Sequence, residues 1–173
     1  MSTVPTSERW AFFDCFAGIS GDMTLGALID LGLAVSDREG LLNLMGLAEV
    51  SLAAPRRTKD HLSGVQLQVD FRFRRPQPTR SYREIHALIA GSPLGHGVQE
   101  RSLAMFRLLG EVEARIHGQP LEEVHFHELG ALDTLLDIVG AAYGVEKLGI
   151  TRVFCSSLPM GCGTGSPPGD APR

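Results

Sequence analysis

A mixed α/β domain, with a small mixed sheet that includes an antiparallel hairpin and about five packed helices, is what the sequence predicts. Three observations predict it. The apolar pattern switches along the chain between a two-residue period and a helical one. Each switch is marked by glycine, proline or a capping residue. A hydrophobic content of 43% over 173 residues is enough for one sizeable core. A single domain is expected over residues 1–160 with an internal linker at about 75–80, followed by a Gly/Pro-rich tail over 161–173 that reads as disordered or truncated.

The elements follow in order. "WAFFDCF" (10–16) reads as a short buried strand, and "AGISG" as the loop that carries it into a helix, "DMTLGALIDLGL", with Leu25, Leu28, Ile29 and Leu33 at helical spacing. Ser20 is placed as the N-cap, with Asp22 in the first turn. A second helix is expected from Ser36, with Glu39 three residues on as a capping box. In "SGVQLQVDFRFRR", Val65, Leu67, Val69, Phe71 and Phe73 alternate with polar residues, the pattern of a half-buried strand. "VSLAAPRR" is its antiparallel partner across "TKDHLSG". After the proline-broken "RRPQPTR", Ser81 and Glu84 form a capping box at the head of a helix. A long amphipathic helix over 98–117 places Leu103, Phe106, Leu109, Val112 and Ile116 on one side. A further helix to about Leu148 and a last strand, "TRVFCSSL", complete the pattern.

The net charge of −4 hides an uneven distribution. Residues 56–83 hold eight Arg and Lys against Asp60 and Asp70, a local excess of +6 that leaves −10 elsewhere. Such a face suits an anionic small molecule or a solvated strand, and the acidic remainder argues against nonspecific nucleic-acid binding as the main role. There is no run of eighteen apolar residues and no signal-peptide pattern at the N-terminus, so a cytoplasmic address is expected. Cys15, Cys155 and Cys162 are odd in number with no C-x-x-C pair, which reads as reduced thiols, with Cys15 in the core.

The chemistry-bearing stretch is "EEVHFHELGALDTLLDIVG" (122–140). If "EVHFH" is extended, His125 and His127 project from one face and Phe126 from the other. With Glu128 beside them they make a mixed N/O donor set that suits nickel, zinc, manganese or iron more than calcium. In the following helix Asp133 and Asp137 are the only charges between Leu129 and Val145, one turn apart. Their stripe continues to Gly140 and Gly144, residues that permit close backbone approach. Carboxylates on such a face need compensation by a metal ion, an arginine, histidines or a proton. An N-cap with one internal salt bridge, and two ordinary strand histidines, would account for the same residues. In the opening loop, Asp14 lies near the end of the first strand, where α/β sites sit, and Gly18, Ser20 and Gly21 offer amides for a phosphate or ribose. The loop lacks the Gly-Lys-Ser/Thr of a Walker A motif and the third glycine of a dinucleotide fingerprint.

"FDCFAGISGDMTLGALIDLG", "EARIHG", "VHFHELGALDTLLDIVGA" and "SSLPMGCG" together resemble the LarC family of nickel-insertion proteins, over nearly the whole chain. The resemblance implies a lyase-class cyclometallase that loads Ni2+ into pyridinium-3,5-bisthiocarboxylic acid mononucleotide to form the nickel-pincer nucleotide, consuming CTP with the help of Mn2+ or Mg2+. A lactate-racemase-type apo-enzyme would receive the product. By matching positions, His125, His127 and Glu128 are implied nickel ligands, and Asp133 and Asp137 supporting or catalytic carboxylates or further ligands. Asp14, Ser20 and Asp22 are implied substrate or metal contacts, beside Gly18 and Gly21. Two departures stand out: "RRPQPTRSYRE" has none of the histidines common there, and Pro168 falls where the family pattern has a histidine. Family proteins are more than twice this length, so the chain resembles an N-terminal product, by frameshift or truncation. The CTP site, and a C-terminal half as partner, are then expected elsewhere, and a homo-oligomer is compatible with the reading. The other readings are a nickel-delivery module without catalysis and a metal-dependent hydrolase using His125, His127 and Asp133.

Overall fold

The computed structural model describes residues 8–45, 50–71, 80–126 and 132–159. Their elements are β1 (Arg9–Phe13), α1 (Gly21–Asp30), α2 (Val35–Leu44), β2 (Val50–Ala53), β3 (Arg56–Lys59), β4 (Leu62–Val65), β5 (Gln68–Phe71), β6 (Arg80–Ser81), α3 (Tyr82–Ala90), α4 (His96–His117), a 3-10 turn (Leu121–Glu123), β7 (His125–Phe126), α5 (Leu132–Lys147) and β8 (Ile150–Cys155).

Helix α5 runs through the middle, touching α1, α2, α4 and β8. Leu132, Leu135, Leu136, Val139, Ala142 and Tyr143 are buried, so it is apolar nearly all round, as a central helix must be. Its glycines set the distance to α1. A Cβ added at Gly140 would lie 2.8 Å from Leu25 Cδ2, and one at Gly144 2.9 Å from Leu28 Cδ1. The stripe Asp133, Asp137, Gly140, Gly144 is therefore the face that receives α1, and the glycines make the close approach the sequence predicts. Beneath these helices the core continues through Ile85, Ile89, Val98, Phe106, Val124 and Phe126.

The strands form four pairs: β1–β8 parallel, and β2–β5, β3–β4 and β6–β7 antiparallel. The predicted long hairpin is present but divided. Pro55 interrupts one arm because it has no amide to donate, and Gln66 N donates to Pro55 O at 3.0 Å where the ladder would continue. The other arm breaks at residues 66–67, between β4 and β5. At the tip, Asp60 (φ 48°) and His61 (φ 69°) take the two positive-φ positions of a type I′ turn, whose twist matches that of the strands. Phe73 and the linker at 75–79 lie outside the described residues, as does the tail over 161–173.

Three local expectations are corrected. Helix α2 starts from Ala34 as N-cap, not Ser36. Its onset follows from the exit of α1, where Gly32 at φ 113° turns the chain and Leu33 is buried, so packing overrides the capping pattern. Strand β1 is not buried, since Trp10 and Phe12 are 59% and 66% exposed. In α4 Phe106 is buried and Leu103 and Leu109 pack against the core as expected, with Val98, Ser102 and Gly110 also buried, while Val112 and Ile116 are exposed. The capping box at Ser81 is formed in both halves, with Ser81 N donating to Glu84 Oε2 at 2.7 Å and Glu84 N donating to Ser81 Oγ at 3.3 Å. Among the described residues no helix is long and apolar enough to cross a membrane.

Gly26 tests the α1 packing directly. A Cβ there would stand 2.7 Å from the Val65 carbonyl oxygen, a backbone atom that cannot swing aside. Overpacking of this kind costs about 1–3 kcal/mol, against a gain of about 1 kcal/mol in helix propensity. Gly26→Ala is expected to lower the melting temperature by a few degrees in a thermal melt; an increase would mean that α1 and β4 are not in backbone contact.

Candidate functional site

The N-terminal turn of α1 faces the second turn of α5. A Cβ at Gly21 would fall 2.2 Å from Asp137 Cγ, so only glycine leaves room for this carboxylate. Asp137 is half-buried, and its pKa is raised from 3.8 to about 6, first by burial and then by the negative charges of Asp22 and Asp133. Gly21, Asp22, Asp133 and Asp137, separated by more than a hundred residues in sequence, are thus brought to one place. Asp22 and Asp133 are both exposed and in first turns, where the helix dipole favours a carboxylate. Ser20 is the N-cap residue, as expected, but its hydroxyl donates to Asp22 Oδ1 instead of accepting from a helix amide. Thr134 N donates to Asp133 Oδ1 at 2.9 Å.

Asp14 and Gly18 occupy the loop between β1 and α1. Asp14 is exposed just past the C-terminal end of β1. Gly18 holds φ 91° and donates to Cys15 O at 2.9 Å, closing a tight turn, while Cys15 is buried with its amide on Ser156 Oγ at 2.7 Å. Asp14 is not one of the charges that raise Asp137.

His125 belongs to a second locus. Strand β7 pairs with β6, setting His125 opposite Ser81 and Phe126 opposite Arg80. His125 is exposed and Phe126 buried, the alternation the sequence predicts. Near this pair is Glu84, whose pKa is lowered by hydrogen bonds from the Ser81 amide and hydroxyl and then by the charges of His125 and Arg80. Glu84 was legible in sequence as a capping residue; its place beside His125 was not, because the β6–β7 pairing joins segments more than forty residues apart. His127 and Glu128 lie outside the described residues. Among the described residues, no three His, Cys, Asp or Glu side chains converge to hold a metal ion.

The basic segment is partly committed. Arg56 pairs with Asp30 of α1, whereas Arg57 and Lys59 are exposed on β3. Chemically, the α1–α5 locus offers a proton acceptor stronger than an ordinary carboxylate, in a negative field that attracts cations. The β6–β7 locus offers an imidazole beside a carboxylate.

Comparison with known proteins gives these residues a context. A family model described as nickel insertion protein matches residues 11–167. A protein of Syntrophobacter fumaroxidans named for nickel insertion is 49% identical over 155 residues, covering 90% of this chain and 39% of its own. One from a Synechococcus strain, also named for nickel insertion, is 47% identical over 154 residues, with 88% and 38% covered. The pyridinium-3,5-bisthiocarboxylic acid mononucleotide nickel insertion protein of Staphylococcus epidermidis is 40% identical over 152 residues, again with 88% and 38% covered. The chain spans about two-fifths of the length of these relatives. No solved structure matches it. With the match running over nearly the whole sequence, the chain belongs to the nickel insertion protein family.

Proposed function

We propose that this chain is the nickel-handling portion of an insertase that places nickel in pyridinium-3,5-bisthiocarboxylic acid mononucleotide to give the nickel-pincer nucleotide. The name of the Staphylococcus epidermidis relative supports the substrate. The observation that carries the reading is Asp137, a half-buried carboxylate with a pKa raised to about 6, lodged against Gly21.

Making a carbon–nickel bond on the pyridinium ring breaks a ring C–H bond. The proton passes to the Asp137 carboxylate, the electron pair of the C–H bond becomes the carbon–nickel bond, and nickel stays divalent. A base with a pKa near 6 is mostly ionised at pH 7 yet takes the proton more readily than an ordinary aspartate. Asp133 and Asp22 sustain the field that keeps it so. His125, His127 and Glu128 deliver nickel through a mixed N/O set that binds and releases. Asp14, Gly18, Ser20, Gly21 and Asp22 contact the mononucleotide. CTP, with Mn2+ or Mg2+, binds in the portion of the relatives that this chain does not span, and the product passes to a lactate-racemase-type apo-enzyme in the cytoplasm.

The test is single-turnover nickel insertion by this chain, supplied with that remaining portion and CTP. Asp137→Asn is expected to lower the rate by about 100-fold or more with nickel stoichiometry unchanged, and His125→Ala/His127→Ala to lower the stoichiometry. A nickel-delivery module without catalysis is the second reading. It prevails if Asp137→Asn inserts nickel at the wild-type rate.

A further inference from the structure

The β1–β8 pair is at odds with the rest of the molecule. Parallel strands occur almost always with both faces covered, and a two-stranded sheet is not stable in water by itself. Here Trp10 and Phe12 of β1 share a face with Phe154, which lies opposite Phe12 in the register, and the Trp10 and Phe154 rings are 5.7 Å apart. Phe154 is 45% exposed, and Phe16 and Leu158, just beyond the two strands, are exposed as well. A cavity of about 510 Å3 opens beside Trp10 and Phe12, against Ala27 and Leu31 of α1. A second, of about 450 Å3, opens beside Phe13 and Val153, against Met105 of α4 and Val145 of α5. Open gaps on both sides of an apolar strand pair mark an interaction surface, unlike singly scattered hydrophobic residues. Among the described residues the outer edges of β1 and β8 carry no further strand, and free edges are templates for pairing.

We propose that the β1–β8 pair is the seam at which this chain docks the portion of the family protein that it does not span. That portion adds a strand beside the pair and buries Trp10, Phe12 and Phe154. The length of the relatives argues for this occupant, since about three-fifths of each lies outside the matched stretch. A second copy is the poorer fit. Two-fold symmetry would set β1 against β1, or β8 against β8, in antiparallel pairing, whereas a parallel pair is extended by strands reached through crossovers in one fold. The inference rests on family membership and not on the nickel chemistry, so neither nickel nor CTP enters its test.

The probe is the purified portion of the Syntrophobacter fumaroxidans relative outside the stretch matched here, mixed with this chain and followed by light scattering and amide exchange. A one-to-one complex is expected, with new protection on β1 and β8 and a blue shift of Trp10, the only tryptophan of the chain, after the probe's own emission is subtracted. Phe12→Lys and Phe154→Lys are expected to weaken the complex at least tenfold, while Leu62→Lys, at a still more exposed position on β4 outside this strand pair, leaves it unchanged. Melting curves confirm that the variants fold, and if one does not, the protection pattern of the wild-type chain decides. No complex, protection elsewhere, or self-association of this chain through β1 and β8 each overturns the proposal.

Discussion

Replacing Asp137 by Asn is expected to make the protein more stable at neutral pH. The carboxyl has a folded-state pKa of about 6 against 3.8 for an unperturbed aspartate, so the folded protein holds this proton more tightly than the unfolded chain does. Below pH 3.8 the group is protonated in both states and contributes nothing. As pH rises from 3.8 through 6 the unfolded chain loses the proton first, and folding stability falls across that window. Above it the charged carboxylate is held at a cost by burial and by Asp22 and Asp133. Discounted for solvent screening of a half-buried group, that cost is about 1–2 kcal/mol at pH 7.5. Asn removes the charge at nearly constant volume, so a rise in melting temperature of roughly 3–6 °C is expected at pH 7.5, vanishing below pH 4. Thermal melts across pH 3.5–8 check this; a drop in stability at pH 7.5 would mean that a cation or a hydrogen bond already compensates the charge. A gain in stability that comes with lost insertion is the signature of a residue kept for chemistry.

The largest loss is expected at Phe126. It is 1% exposed and packs edge-on against Phe106, with ring centroids 6.3 Å apart. Truncation of a buried phenylalanine costs about 3–5 kcal/mol in lost burial and cavity. Phe126→Ala should therefore lower the melting temperature by about 10 °C or more, and Phe126→Leu by much less. Because β7 has only two residues, Phe126 is also what turns His125 outward. Amide exchange in the β6–β7 pair should rise in Phe126→Ala beyond the general loss of protection. A shift in melting temperature below 3 °C would show that neither the core nor the orientation of His125 depends on this ring.

Much of this was legible in the chain. The 3.6-residue pattern of α5 identified a helix without a water-facing side, and its stripe of Asp133, Asp137, Gly140 and Gly144 announced a close neighbour. The Ser81 capping box and the alternation of His125 and Phe126 were equally local. What failed was local too. Ser36 looked like a cap and "WAFFDCF" like a buried strand, since both judgments assume that neighbours in sequence decide the environment. For Ser36 the exit from α1 decided it. For β1 the decision belongs to whatever covers the second face of the sheet.

The candidate site divides in the same way. Sequence by itself determined the residue types, the periods that make helices and strands, and the family, because these are carried by short-range steric preference and by motifs read residue by residue. Only the tertiary structure decided that Gly21 and Asp22 meet Asp133 and Asp137, and that His125 stands instead beside Glu84. Burial and like charge raise a pKa through space, over distances of a few ångströms that chain separation does not encode, so the proton affinity of Asp137 is a property of how α1 and α5 pack.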